Sequence, residues 1–289
     1  MRRPTRKCKA NPVYLPPLAV AAIVLVIAAK VQAADAPIPH GTVELIAEDQ
    51  WITPEHDFSL GLHFQLEQGW HIYWVNPGDS GEPPQAQWSL PPGIITEPLE
   101  WPAPQRLGTA PIVDYGYNDS VVLLVPMRAS ATLASQQTAR LGANLRVLVC
   151  REVCLPGKAR LALTLPVRPQ TPAPDTRTKA LFAQARRSLP RAAPPSWRFS
   201  VTDTKDAFVL TADLGHRVAQ ATLFPLMESQ IDNAAPQKVE ATASGFRLTL
   251  RKSGQLLKTI ERLKGVVVIA SDHAYIIDVP VGKAGARRR

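Results

Sequence analysis

The residues best suited to chemistry in this chain are Cys150 and Cys154, in Cys150-Arg-Glu-Val-Cys154, with Leu155-Pro156-Gly157 directly behind. On a regular strand two such positions lie about 13 Å apart. A disulfide needs Cα atoms within about 7 Å. Arg151-Glu152-Val153 must therefore turn, as a hairpin tip or one helical turn, if the two are to bond. On the chain-entropy model so small a loop is stabilised by only about 2 kcal/mol, against about 4–5 kcal/mol for a loop near 100 residues. A tight, strained bridge is also easier to exchange. Redox chemistry is therefore favoured over a structural staple and over metal binding. Arg151 and Lys158 would stabilise a thiolate and Glu152 would oppose it. The residues leave open which cysteine attacks.

Two further segments carry candidates. Trp70-His-Ile-Tyr-Trp-Val-Asn-Pro-Gly-Asp-Ser-Gly81 reads as an aromatic strand followed by a turn. His71 is either an ordinary strand histidine, the commoner case, or a base or soft-metal partner to the cysteines. Two thiolates with that imidazole would suit Cu(I). Trp70 and Trp74 are expected in the core or at its rim. Val113-Asp-Tyr-Gly-Tyr-Asn-Asp119 reads as a polar loop. There Asp114, Tyr115 and Tyr117 either form a lid over a disulfide or belong to plain surface. His-Glu-x-x-His, phosphate-loop, Gly-x-Ser-x-Gly and dinucleotide patterns are absent. His40, His56, His63, His216 and His273 show no ligand spacing. No resident cofactor is implied beyond a redox-active disulfide, with Cu(I) as the alternative.

The elements that must position these residues read as strands. Of 289 residues, 45% are hydrophobic and 20% charged, a globular composition. The 28 prolines disfavour serial helices and favour edges and turns. Runs over 42–52, 58–67, 71–76, 85–90, 121–129, 140–150 and 159–167 are rich in β-branched or aromatic residues. Phe58, Leu60, Leu62, Phe64 and Leu66 alternate with Ser, Gly, His and Gln, predicting one buried face. Leu161, Leu163 and Leu165 share a face likewise. The expected fold is all-β: a β-sandwich, then a Pro-rich linker with a helix over 178–189, then a smaller β-rich block. The helix would turn Leu181, Phe182, Ala185 and Leu189 to one side. Strands of the second block are expected over 197–201, 208–214, 220–224, 246–251, 265–270 and 275–281.

The formal charge of +9 suggests nucleic acid. Residues 1–33 hold six basic residues and no acidic ones, leaving 27 basic against 24 acidic residues beyond them. Arg287, Arg288 and Arg289 account for that remaining excess, so the body is near neutral and nucleic acid is set aside. Residues 1–33 have the layout of a secretory signal: a basic start, an apolar run over 18–29, and Val31-Gln32-Ala33 before a cut after Ala33. The run is shorter than the roughly 20 residues of a spanning helix. The alternative is an uncleaved anchor. Cys8 would leave with the signal. Export places Cys150 and Cys154 where disulfides persist.

Trp70 to Gly81, Leu99-Glu-Trp-Pro-Ala-Pro104, Asp114-Tyr-Gly-Tyr117 and Val149-Cys-Arg-Glu-Val-Cys-Leu-Pro156 together resemble the periplasmic N-terminal region of the DsbD/ScsB family of thiol:disulfide interchange proteins. Leu223-Phe-Pro and Ile231-Asp-Asn-Ala-Ala-Pro-Gln237 are similar to the second part of that region in the ScsB-like branch. The resemblance implies an immunoglobulin-like first domain with Cys150 and Cys154 as the redox pair. It also implies Asp114, Tyr115 and Tyr117 as a cap loop. The implied partners are a separate membrane-embedded electron donor and periplasmic thioredoxin-like clients, in disulfide correction, cytochrome c maturation or copper stress. A docking module with a structural disulfide is the non-catalytic alternative. We take Cys154 as the attacking residue. The cysteine spacing is shorter than in the best-known DsbD branch, which puts the cap contacts in question. The expected boundaries are 1–33 signal, 34–168 redox domain, 169–195 linker, 196–283 second β-domain and 284–289 basic tail.

Overall fold

The computed structural model describes residues 35–270 and 273–283. The expected signal over 1–33 and the basic tail over 284–289 lie outside the described residues. Among the described residues no helix is long and apolar enough to cross a membrane.

The first half of the described chain is built from strands β1 (Ala36–Ile38), β2 (Gly41–Ala47), β3 (Asp57–Leu66), β4 (His71–Gly78), β5 (Gln85–Ser89) and β6 (Ile94–Thr96). It continues with β7 (Gln105–Thr109), β8 (Ile112–Asn118), β9 (Ser120–Ala129), β10 (Thr138–Cys150) and β11 (Cys154–Pro166). One sheet runs β1-β2-β3-β9-β6; the other runs β11-β10-β4-β8-β7, with β5 also on β10. Their inner faces meet in one apolar core that includes Leu60, Leu62, Phe64, Ile72, Trp74, Leu123, Leu141 and Leu163. This is an immunoglobulin-like β-sandwich, held by alternate side chains of both sheets.

Helix α1 (Lys179–Ser188) corrects one detail of the sequence reading. Strand β3 is buried on both faces rather than one. Phe182 and Ala185 of the helix pack on Ile46, Val122 and Leu124, the outward side chains of the first sheet. A Cβ placed on Gly61 would lie 3.3 Å from the Phe182 ring, and His63 on the same face is only 6% exposed. The segment 169–195 therefore covers the sandwich as well as leading away from it. Thr178 Oγ1 anchors the helix start by donating to the Ala47 carbonyl at 2.6 Å.

The remaining strands are β12 (Arg191–Ala192), β13 (Arg198–Asp203), β14 (Ala207–Asp213) and β15 (Ala221–Pro225). After them come β16 (Lys238–Ala241), β17 (Gly245–Arg251), β18 (Arg262–Ile269) and β19 (His273–Lys283). They form one sheet in the order β15-β18-β19-β13-β14-β17-β16, with β12 beside β19. Phe208, Leu210, Phe246 and Leu248 from one end of that order share a core with Leu223, Leu263, Val267 and Ile277 from the other. Phe224 and Val266 turn the opposite way and join the core of the first sandwich. The two β blocks are thus fastened by shared apolar burial.

Phe182→Ala should lower stability by about 3–5 kcal/mol, the usual result of emptying a buried aromatic site. The check is the urea unfolding midpoint. A loss below about 1 kcal/mol would mean that the helix is not part of the sandwich's cover.

Candidate active site

Strands β10 and β11 are both 13 residues long and pair in register along their whole length, from Thr138 opposite Pro166 to Cys150 opposite Cys154. The ladder brings the last pair to a Cα separation of 4.1 Å, and the two sulfurs are bonded. Arg151, Glu152 and Val153 make the expected turn, closed by the Arg151 amide donating to the Val153 carbonyl at 3.1 Å. The disulfide is asymmetric. Cys150 is 1% exposed, whereas Cys154 is open to solvent, as is the turn beside it.

Alternation decides what surrounds the bridge. On β4, Ile72 and Trp74 enter the sandwich core, so His71 and Tyr73 face the other way. His71 stands directly opposite Cys150 in register. The Tyr73 hydroxyl donates to Cys154 Sγ at 3.4 Å. On β8, Val113, Tyr115 and Tyr117 enter the core, leaving Asp114 and Gly116 on the face of His71 and Tyr73. Gly116 is required there, since a Cβ would lie 2.0 Å from the Ile72 carbonyl oxygen.

This placement corrects the expected loop. Asp114, Tyr115 and Tyr117 lie on a strand inside a sheet, not on a lid. Tyr115 and Tyr117 are buried, and their hydroxyls donate to Asn233 Oδ1 at 2.8 Å and the Pro102 carbonyl at 2.7 Å. Burial drives both phenols well above their ordinary range, so they stay protonated. Asp114 alone of the three is on the face that carries the disulfide.

Asp114 is held by Ser80, whose amide donates to Oδ1 at 2.9 Å and whose hydroxyl donates to Oδ2 at 2.9 Å. Burial raises the Asp114 carboxyl above the usual carboxylate range, and the Ser80 bonds and His71 oppose the rise. Burial lowers His71 below the usual imidazole value, with Asp114 pulling the other way. His71 is 9% exposed and its Nε2 has no partner. The Tyr73 phenol is raised, chiefly by burial, with Ser80 acting against the rise. It therefore remains a donor toward sulfur at neutral pH. Tyr73 and His71 meet edge to face at 5.2 Å. Tyr73 was not singled out from sequence, although its two-residue offset from His71 puts both on one face. Ser80 gave no signal at all.

At the exposed tip, Arg151 pairs with Glu152 at 3.0 Å and lies 5.4 Å from the Trp70 ring centroid. Trp70 also stacks on His40 at 3.7 Å. The arginine charge is shared with these neighbours rather than aimed at sulfur alone. Trp70 and Trp74 are core residues, as expected. His71 is brought beside Cys150, yet among the described residues no group of three or more His, Cys, Asp or Glu is arranged to hold a metal ion.

Fold and site together define an immunoglobulin-like domain with an accessible disulfide at a hairpin tip. Residues 42–166 match the family model described as thiol:disulfide interchange protein DsbD, N-terminal. The first sandwich is thus similar to the N-terminal domain of the DsbD family. A solved structure, the N-terminal periplasmic domain of ScsB from Proteus mirabilis, is similar in fold at a TM-score of 0.64 and 18% identity. The likeness covers 88% of this chain and 100% of that one, so it includes both β blocks. Comparison with curated proteins gives no match.

Burial lowers His63 as well as His71. Between the ordinary imidazole value near 6.5 and the lower folded values, the unfolded chain binds protons that the folded chain does not. Stability therefore falls as pH drops through that window. The raised Asp114 acts in the opposite sense, nearer the carboxylate range. His71→Gln and His63→Gln should each reduce the stability lost between roughly pH 7.5 and pH 5.5, read from urea midpoints. An unchanged loss in both variants would contradict the burial of neutral imidazoles.

Proposed function

We propose that this chain is a periplasmic thiol–disulfide exchange protein that passes electron pairs from a membrane-embedded donor to oxidised clients. The observation that carries the reading is the asymmetry of the bridge. Cys154 is exposed with a phenol aimed at its sulfur, and Cys150 is buried behind it. An exposed sulfur with a hydrogen-bond donor forms a thiolate more readily than one buried among apolar groups. Cys154 is thus the attacking residue and Cys150 the resolving one.

In the reduced protein the Cys154 thiolate attacks one sulfur of a client disulfide. The other client sulfur leaves as a thiolate and takes up a proton. Cys150, losing its proton, then attacks Cys154 Sγ and displaces the second client sulfur. Two electrons have passed to the client, and the Cys150–Cys154 bond is restored. A dithiol of the membrane donor runs the same exchange in the other direction, entering at Cys154. Tyr73 stabilises the sulfur charge by donating its proton's hydrogen bond without giving the proton up. Thioredoxin-like proteins are the clients that the likeness to the DsbD N-terminal domain points to. The signal expected over 1–33 supplies export.

Iodoacetamide should label Cys154 before Cys150 in the reduced chain. Cys150→Ser should accumulate a mixed disulfide with oxidised glutathione or a thioredoxin-fold client, because Cys154 can attack and nothing resolves. Cys154→Ser should accumulate far less, and both variants should lose turnover. Mass spectrometry of acid-quenched samples reads all three. Equal labelling, or equal trapping in the two variants, would contradict the assigned roles.

A further inference from the structure

The ladder between β4 and β8 breaks beside the site. Tyr73 pairs with Gly116 and Gly78 with Asp114, so five steps along β4 match two along β8. The intervening residues 74–77 bulge away from their neighbour. The second β block meets this bulge with one hydrogen bond and with ring contacts. Asn76, only 1% exposed, donates through Nδ2 to the Pro225 carbonyl at 2.7 Å. Phe224 meets Trp74 edge-on at 6.4 Å and Tyr115 at 5.1 Å.

Asn233 makes the tightest link. Its Nδ2 donates to Asp79 Oδ1 at 2.8 Å, its Oδ1 accepts from the Tyr115 hydroxyl at 2.8 Å, and its carbonyl accepts from Arg106 at 2.7 Å. The other Asp79 oxygen accepts from the Val113 amide at 2.8 Å. Asn233 thus holds the turn over 76–81 onto β8. The next two residues of that turn touch the site. Ser80 grips Asp114. Gly81 lies flat on the Tyr73 ring, close enough that a Cβ would sit 2.1 Å from the ring carbon bearing the hydroxyl. That ring is the one whose hydroxyl meets Cys154.

We propose that the second β block is a buttress for the redox pair, and that Asn233 is a positioning residue acting through Asp79, Gly81 and Tyr73 on Cys154. The inference deepens the exchange function proposed above and rests on it. It assigns a task to Phe224, Pro225 and Asn233, all within the two segments of the second block that carry its sequence resemblance. The occupant of the bulge is this chain itself, so the buttress is present in every copy.

The test uses the full mature chain, reduced, and the pH profile of Cys154 alkylation by iodoacetamide. A lost hydrogen bond of ordinary strength corresponds to about a fivefold change. Asn233→Ala should therefore move the profile upward, with about fivefold less Cys154 reactive as thiolate at neutral pH. Tyr73→Phe should do the same. Adding Asn233→Ala to Tyr73→Phe should then produce no further shift, because the relay has already been cut. Leu248→Ala, in the second block's own core, should cost stability without moving the profile. Asn233→Ser is read in the same way if the alanine variant folds poorly.

An unshifted profile in the folded Asn233 variants would overturn the buttress and leave the exchange function standing. So would a shift that persists in full in the Tyr73→Phe background, or an equal shift in Leu248→Ala. Failure of the exchange function itself would show instead as absence of mixed disulfides in Cys150→Ser, which the alkylation profile does not measure.

Discussion

The site depends first on the register of one hairpin. Two 13-residue strands pair without a break, and only that pairing sets Cys150 against Cys154 across a three-residue turn. A slip of one residue would turn every side chain of a strand to its other face. It would send Cys150 into the core and pull Val149 out of it. Ala139, Leu141, Ala143, Leu145, Val147 and Val149 on β10 oppose such a slip, as do Leu161, Leu163 and Leu165 on β11, all buried in one core. The bridge is therefore held in place mainly by apolar burial along the strands and only in small part by its own loop closure.

A second layer of organisation converts a disulfide into an asymmetric one. The face of the sheet away from the core is where His71, Tyr73 and Asp114 stand, and where Cys150 is covered while Cys154 is not. Burial keeps the imidazole neutral and the phenol protonated. The surroundings of sulfur then include a phenolic donor and an uncharged imidazole, with the Asp114 carboxyl held by Ser80 on the same face. A thiolate formed at Cys154 is favoured by a hydrogen bond and still reactive. Near the bridge the sheet is incomplete, and the second β block fills the gap with Phe224, Pro225 and Asn233.

Much of this was legible in sequence and some was not. The turn at Arg151-Glu152-Val153 followed from distance alone, and the strand runs followed from alternation. The segment around Asp114 misled because Gly116 and the polar residues look like turn chemistry. The glycine is there for a close backbone approach, and Val113, Tyr115 and Tyr117 carry the period of two that marks a strand. The second buried face of β3 was hidden because its cover, α1, lies more than a hundred residues away in sequence. Asn233 lay beyond reach for the same reason, and Ser80 because its partner Asp114 stands on another strand. Single polar residues in loops declare a role only when the fold supplies their partners.

On the proposed function, Cys150 and Cys154 exchange electrons rather than staple the hairpin. The reduction potential of the pair separates the two roles. The chain from residue 34 onward is equilibrated in a series of glutathione or dithiothreitol buffers, and free thiols are counted by alkylation and mass. Electron exchange predicts a value between about −180 and −270 mV, the range of exchange-active pairs. A value below about −300 mV, typical of structural disulfides, would contradict it and make the hairpin tip a staple.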